Sequence, residues 1–441
     1  MRTMLTTANI KSWMQAALAV LLTATLVACG GGGGGGSDNN SSSNNGGNTS
    51  NGLNGGSLPA SPSQQPISAN ASNTVPITVG RGVAGVINIP TVSVRICAPG
   101  STSNCQTIDN IQVDTGSFGL RVVSSTLNST LLGALPVSTI GSNGAQLAEC
   151  ATFADGYTWG SVRTAIVTIG GETTTSSIPL QIIGDKSAST VPTSACGSGM
   201  AENTAADLGA NGILGIGTAL TDCGNTCANP ATAANYSNYF ACPNGTSCTR
   251  TAVPLTQQVA NPVANFPLDN NGVIVQMAPV SNTGQASATG TLVFGIGTQG
   301  NNPLAAAQVF TTDPYGDLNN STFNGTTVQA FLDSGSNAYF FGDSTLTLCG
   351  SQFAGFYCPS SAQTRTVTLV GKNNVSAVAS IGILNAQTLF ANGSNYAFNT
   401  LAGQIGGSAS FDLGLPYFFG RYVYYHLDQT ASGGPSPFVG Y

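Results

Sequence analysis

The sequence predicts an all-β body made of two related β-rich lobes with a cleft between them. Three observations lead there: apolar residues that recur with period two from Val75 onward, a composition dominated by turn formers, and one short motif that occurs twice. At 441 residues the chain exceeds what a single core usually organises, so two lobes are expected. It contains 57 Gly and 21 Pro, so turns should be many and helices few. Charged residues make up only 6% while hydrophobic residues reach 41%, so Ser, Thr, Asn and Gly must meet the solvent in place of salt bridges.

The strand reading is clearest at 92–96, 161–169, 272–277 and 291–294, where apolar residues alternate or run briefly between Gly, Pro and Asn. Weak helical stripes occur at 124–132 and 304–309. The repeated motif is more informative. Ile111-Gln112-Val113-Asp114-Thr115-Gly116-Ser117 returns as Phe331-Leu332-Asp333-Ser334-Gly335-Ser336, and each copy leads an apolar strand into an acid. Each is later followed by a Gly-centred apolar piece, Asn211-Gly212-Ile213-Leu214-Gly215 and Phe411-Asp412-Leu413-Gly414. One such tetrapeptide would be an ordinary turn. Two in corresponding places call for a chemical reason.

A carboxylate at the end of a buried strand is costly unless it is paired or hydrogen-bonded. Two carboxylates about 3 Å apart cannot both ionise, so they share a proton. One can then act as base toward a water while the other polarises a carbonyl. The single histidine, His426, excludes Ser-His-Asp triads, Cys-His dyads and multi-His metal sites. It lies in a strand-like run and is expected to be a satisfied or surface residue. Neither a cofactor nor a metal is expected.

The order of these elements resembles the pepsin-like (bilobal) aspartic protease family, over about Val75 to Tyr441. The resemblance rests on the two Asp motifs, on Phe153-Ala154-Asp155-Gly156-Tyr157-Thr158-Trp159-Gly160 as the flap hairpin, on the two Gly-centred pieces, and on the closing 413–422 segment. It implies that Asp114 and Asp333 are the catalytic pair, with Thr115 and Ser334 as the grip between their loops. Gly116, Ser117, Gly335 and Ser336 would support the pair. Phe153, Asp155, Gly156, Tyr157, Arg121 and Asp412 would line the flap and the substrate cleft. The implied activity is peptide-bond hydrolysis by an endopeptidase, with a peptide or protein held in the interlobe cleft and the protein acting as a monomer.

The chain departs from the family in four places. Phe153 stands where the family carries tyrosine, and Arg121 where that tyrosine's tryptophan partner belongs. The hairpin is therefore expected to close through Tyr157 or Trp159. Asp412 replaces an apolar residue and adds a third acid near the pair. A Gly/Ser/Asn tether stands where the family has a basic pro-segment. The alternative is a catalytically inactive frame used as a peptide- or glycan-binding surface lipoprotein, or an inert body presented on the tether.

Residues 1–28 read as a signal peptide, with an apolar stretch from Met14 to Val27 that is short for a membrane span. Leu26-Val27-Ala28-Cys29 resembles the lipobox of bacterial lipoproteins, which implies lipidation at Cys29 and, with Gly30 following, an outer-membrane anchor facing the periplasm or the surface. Loss of Arg2 and Lys11 takes the formal charge from −6 to −8. Such acidity argues against nucleic acid, and membrane contact is expected through the lipid alone. Residues 29–74 read as a flexible tether of roughly 35–40 Å average reach. Residues 75–268 and 269–441 then form the two lobes. Ten further cysteines in an exported chain point to disulfides, with Cys97/Cys105 and Cys349/Cys358 as local pairs. The group Cys223, Cys227, Cys242 and Cys248 could suggest zinc by its clustering, although it has no His and no CxxC spacing.

Overall fold

The computed structural model describes residues 54–55, 57–196, 199–404 and 409–441. The expected signal peptide, Cys29 and most of the expected tether lie outside them. Among the described residues the protein is mostly β-sheet, with a few helices of one to two turns. None of these helices is long and apolar enough to cross a membrane.

The strands form one sheet of eighteen strands and one of eight. Every strand read from the sequence is present: 92–96 lies within Pro90–Cys97, 161–169 within Gly156–Ile169, and 291–294 within Ala288–Phe294, while 272–277 is Gly272–Met277. The 124–132 stripe becomes a short 3-10 turn, Ser124–Thr126, followed by the helix Ser129–Ala134, whose N-terminus is capped by the Asn128 side chain. The 304–309 stripe is not a helix. The Gln308 amide donates to Tyr441 O, and Val309 pairs with Gly440, so partnership with the C-terminal strand overrides weak local propensity.

The internal echo is also an echo of strand pairing. Cys105–Asp114 and Thr326–Asp333 each end at their acid, and each follows an antiparallel neighbour, Pro90–Cys97 and Leu318–Phe323 respectively. Each acid strand then takes a parallel partner from much later in the chain. Gly215 sits opposite Asp114, and Gly414 sits opposite Asp333. Each of those partners also runs antiparallel to the strand that leaves the acid loop, Phe118–Val123 and Tyr339–Phe341. Two distant pieces of sequence thus clamp each acid loop from both sides.

The sheets do not divide at 268/269. Gly272–Met277, Ala288–Phe294 and Tyr422–His426 belong to the same sheet as Thr74–Val79, because Ala288–Phe294 pairs with Thr74–Val79 on one edge and Gly272–Met277 on the other. One continuous apolar cluster, from Val75 through Leu214, Phe294 and Leu332 to Val439, holds both sheets together. Each fully buried Leu, Val or Phe in it contributes roughly 1.5–3 kcal/mol.

The tether stops short of its expected limit. Residues 57–73 lie against the body: Ile67 N donates to Gln276 Oε1 at 2.9 Å, Gln64 N to Gly420 O at 3.0 Å, and the buried Asn73 side chain to Phe294 O at 3.0 Å. Composition alone could not separate this polar, Pro-spaced stretch from a linker, because backbone and amide hydrogen bonds seat most of it, with Ile67 packed against the core.

All ten described cysteines are paired: 97–105, 150–196, 223–227, 242–248 and 349–358. The four clustered cysteines are therefore disulfides, with no thiolates to offer zinc. His426 is 6% exposed, with Nδ1 2.8 Å from Leu427 O and its ring stacked on Phe438; burial pushes its imidazole below the usual pKa.

Candidate functional site

The two acid loops meet. Thr115 N donates to Ser334 Oγ at 3.1 Å, and Ser334 N donates to Thr115 Oγ1 at 2.9 Å. Each hydroxyl then reaches past its partner loop: Ser334 Oγ donates to Val113 O at 2.7 Å and Thr115 Oγ1 to Leu332 O at 3.3 Å. Four buried bonds thus join residues 217 to 221 positions apart. Replacing Ser334 with Ala should cost about 1–3 kcal/mol, since it leaves the Thr115 amide buried without its acceptor. A lowered urea midpoint is the expected measurement.

The clasp brings Asp114 and Asp333 side by side, each 7% exposed and hydrogen-bonded to the other. Gly116 N donates to Asp114 Oδ1 at 2.8 Å, and the Ser117 hydroxyl donates to Asp114 Oδ2. The second loop copies the first: Gly335 N donates to Asp333 Oδ1 at 2.9 Å and Ser336 Oγ to Asp333 Oδ2 at 3.1 Å. Glycine is required at both turns. A Cβ on Gly116 would lie 2.4 Å from Asp333 Cγ, and one on Gly335 would lie 2.5 Å from Asp114 Oδ1.

Burial, reinforced by the charge of Asp333, pushes Asp114 up to about 7, while the Ser117 and Gly116 bonds pull against the rise. The sign for stability follows from tighter proton binding in the folded state. The contribution is fully present below the unfolded value of 3.8 and is lost as pH climbs through about 7. Asp114→Asn, which cannot ionise, should therefore melt close to the native protein at pH 4 and above it at pH 8. Thermal unfolding at the two pH values reads this directly.

Two contributors to the site were not foreseen. Gln112 Nε2 donates to Gly335 O at 3.0 Å, and the buried Tyr425 hydroxyl donates to Leu332 O at 2.8 Å. Gln112 is a polar residue in an otherwise apolar lead-in to Asp114, which was a readable signal. Asp412 is buried on the strand that abuts the Asp333 strand, opposite Phe331. That places it two residues, or roughly 7 Å, back along the strand from the pair.

The hairpin around Phe153 forms as expected. Thr152 pairs with Tyr157, and Phe153 N donates to Gly156 O at 2.8 Å, with Asp155 in the turn. A third strand, Met200–Ala201, runs parallel to Gly156 and Tyr157. A Cβ on Gly156 would meet Met200 O at 2.6 Å. The Cys150–Cys196 disulfide joins the hairpin's first strand to the segment that leads there. Trp159 is fully buried edge-to-face with Phe240, its indole N–H donates to Thr190 Oγ1 at 3.0 Å, and Tyr157 packs against the same cluster.

Arg121 faces the hairpin instead. Its guanidinium lies 5.9 Å from the Phe153 ring centroid and bridges Glu149 at 2.6 Å and Asp222 at 3.2 Å. It also donates to Phe118 O at 2.8 Å. Asp222 accepts further from Tyr239 OH at 2.5 Å and Asn238 Nδ2 at 2.8 Å. Burial opposes the charge on Arg121, but Glu149 and Asp222 outweigh it and hold the guanidinium above its ordinary value. Burial raises Glu149 well above the usual carboxylate range; Arg121 pulls it down, and Asp222 adds to the rise.

Residues 69–441 match the family described as "Protein of unknown function (DUF3443)". Comparison with curated proteins finds no match.

Proposed function

Because the chain belongs to the DUF3443 family, whose description assigns no activity, we propose a function from the site itself: a pepsin-like, bilobal aspartic endopeptidase that hydrolyses peptide bonds between Asp114 and Asp333. The carrying observation is the reciprocal Thr115–Ser334 clasp, which holds two buried carboxyl groups in hydrogen-bond contact. The matched pairing around both acid strands supports the bilobal frame.

In this mechanism the pair carries one proton. The ionised carboxylate takes a proton from a water, whose oxygen attacks the scissile carbonyl carbon. The protonated carboxyl gives its proton to the carbonyl oxygen, so the tetrahedral intermediate is a neutral gem-diol. Collapse breaks the C–N bond. The leaving nitrogen takes the proton that came from the water, and the gem-diol returns the other to the pair. The amides of Gly116 and Gly335 and the hydroxyls of Ser117 and Ser336 hold both carboxyl groups in place through the cycle. Because Asp114 is pushed up to about 7, activity should survive to mildly acidic pH and fall as pH rises through that value. We place the enzyme at a bacterial envelope, anchored through Cys29.

Casein digestion from pH 3 to 7, with Asp114→Ala and Asp333→Ala beside the native protein, tests the proposal. Cleavage confined to the native protein is expected. Cleavage surviving both substitutions would exclude the pair, and casein bound but uncut would favour the binding module.

A further inference from the structure

We infer that Arg121 is a positioning residue for the 153–156 hairpin, reaching its tip through the ring of Phe153 and its first strand through Glu149. The guanidinium is 3% exposed and fixed from three sides. Phe118 O lies on its own strand, Glu149 on the hairpin's first strand, and Asp222 beyond the Gly212–Ile216 strand that pairs with Asp114. With Nη1 and Nη2 committed to these acceptors, the guanidinium carbon lies over the Phe153 ring at 5.9 Å, within cation–π range. Phe153 cannot donate a hydrogen bond, and Arg121 has no acceptor, so the ring face is the only specific contact this pair can make.

The arrangement ties the hairpin tip to the strand that leaves the Asp114 loop. The distance between tip and acid pair is then set by a cation already locked into the sheet. Glu149 strengthens the tie because it sits four residues before Phe153 on the same strand run, so the hairpin contributes both a carboxylate and a ring to one guanidinium.

Hydrogen exchange of amides 152–156, read by mass spectrometry on the full chain, tests this without reference to catalysis. Phe153→Leu keeps apolar bulk but removes the ring face, and should speed exchange about fivefold, the factor for roughly 1 kcal/mol. Phe153→Tyr keeps the face and should exchange like the native protein. Both should melt like it, since Phe153 is only half-buried. The kinetic arm rests on the proposed hydrolysis: kcat/KM should fall about fivefold further in Phe153→Leu than in Phe153→Tyr. Native exchange rates in Phe153→Leu, or equal acceleration in both variants, would overturn the inference. A native protein that cuts no peptide would defeat the hydrolytic proposal while leaving the exchange result to decide the role of Arg121.

Discussion

Asp333→Asn is expected to lower peptide cleavage at pH 5 by about 10³-fold or more, with the melting temperature nearly unchanged. The substitution is isosteric, and an Asn Oδ1 can still accept from Gly335 N as Asp333 Oδ1 does at 2.9 Å. The clasp is untouched, because it runs through Ser334 and Thr115. What disappears is proton exchange, since an amide neither takes a proton from water nor gives one to a carbonyl oxygen. Ser336→Ala provides the contrast. It removes a 3.1 Å hydroxyl contact but leaves both carboxyl groups, so its loss should be closer to tenfold. Steady-state kinetics on one defined peptide separates the two.

Arg121→Met is expected to carry the largest stability cost, about 3–5 kcal/mol at pH 7. Arg121 is the cation that faces two carboxyl groups exposed by 0% and 8%, Glu149 and Asp222. Methionine fills much of the volume but leaves the charge uncompensated. Asp222 keeps the Tyr239 and Asn238 donors, so Glu149 is the more stranded of the two. Adding Glu149→Gln should therefore recover part of the loss. The deficit should also shrink in acid, because Glu149, already raised by burial, takes a proton there. Urea unfolding at pH 7 and pH 4 measures both effects.

The acid pair was legible because its information is local and doubled. An apolar strand ending in Asp-Thr-Gly-Ser, and again in Asp-Ser-Gly-Ser, states both the element and the chemistry within a few residues. The short disulfides 97–105 and 349–358 were legible for the same reason, whereas Cys150–Cys196 required the fold that brings them together. The Arg121 network was not read. Glu149, Asp222 and Tyr239 come from three separated segments, and no spacing connects them. One signal was present: an arginine inside Phe118-Gly119-Leu120-Arg121-Val122-Val123, in a chain with so few charges, demands buried carboxylate partners. The seated 57–73 segment and the missing 304–309 helix escaped for a related cause. Each takes its structure from hydrogen bonds to distant backbone or amide groups, such as Gln276 and Tyr441.

The central claim is that Asp114 and Asp333 act together on a water. Cleavage of a defined peptide at pH 5 in ¹⁸O-labelled water, followed by mass spectrometry, tests it most directly. At a single turnover the native protein should place one ¹⁸O in the new C-terminal carboxyl group, form no acyl adduct that hydroxylamine can trap, and lose all cleavage in the Asp114→Asn/Asp333→Asn double variant. A trapped acyl adduct, or labelled product from the double variant, would contradict the account.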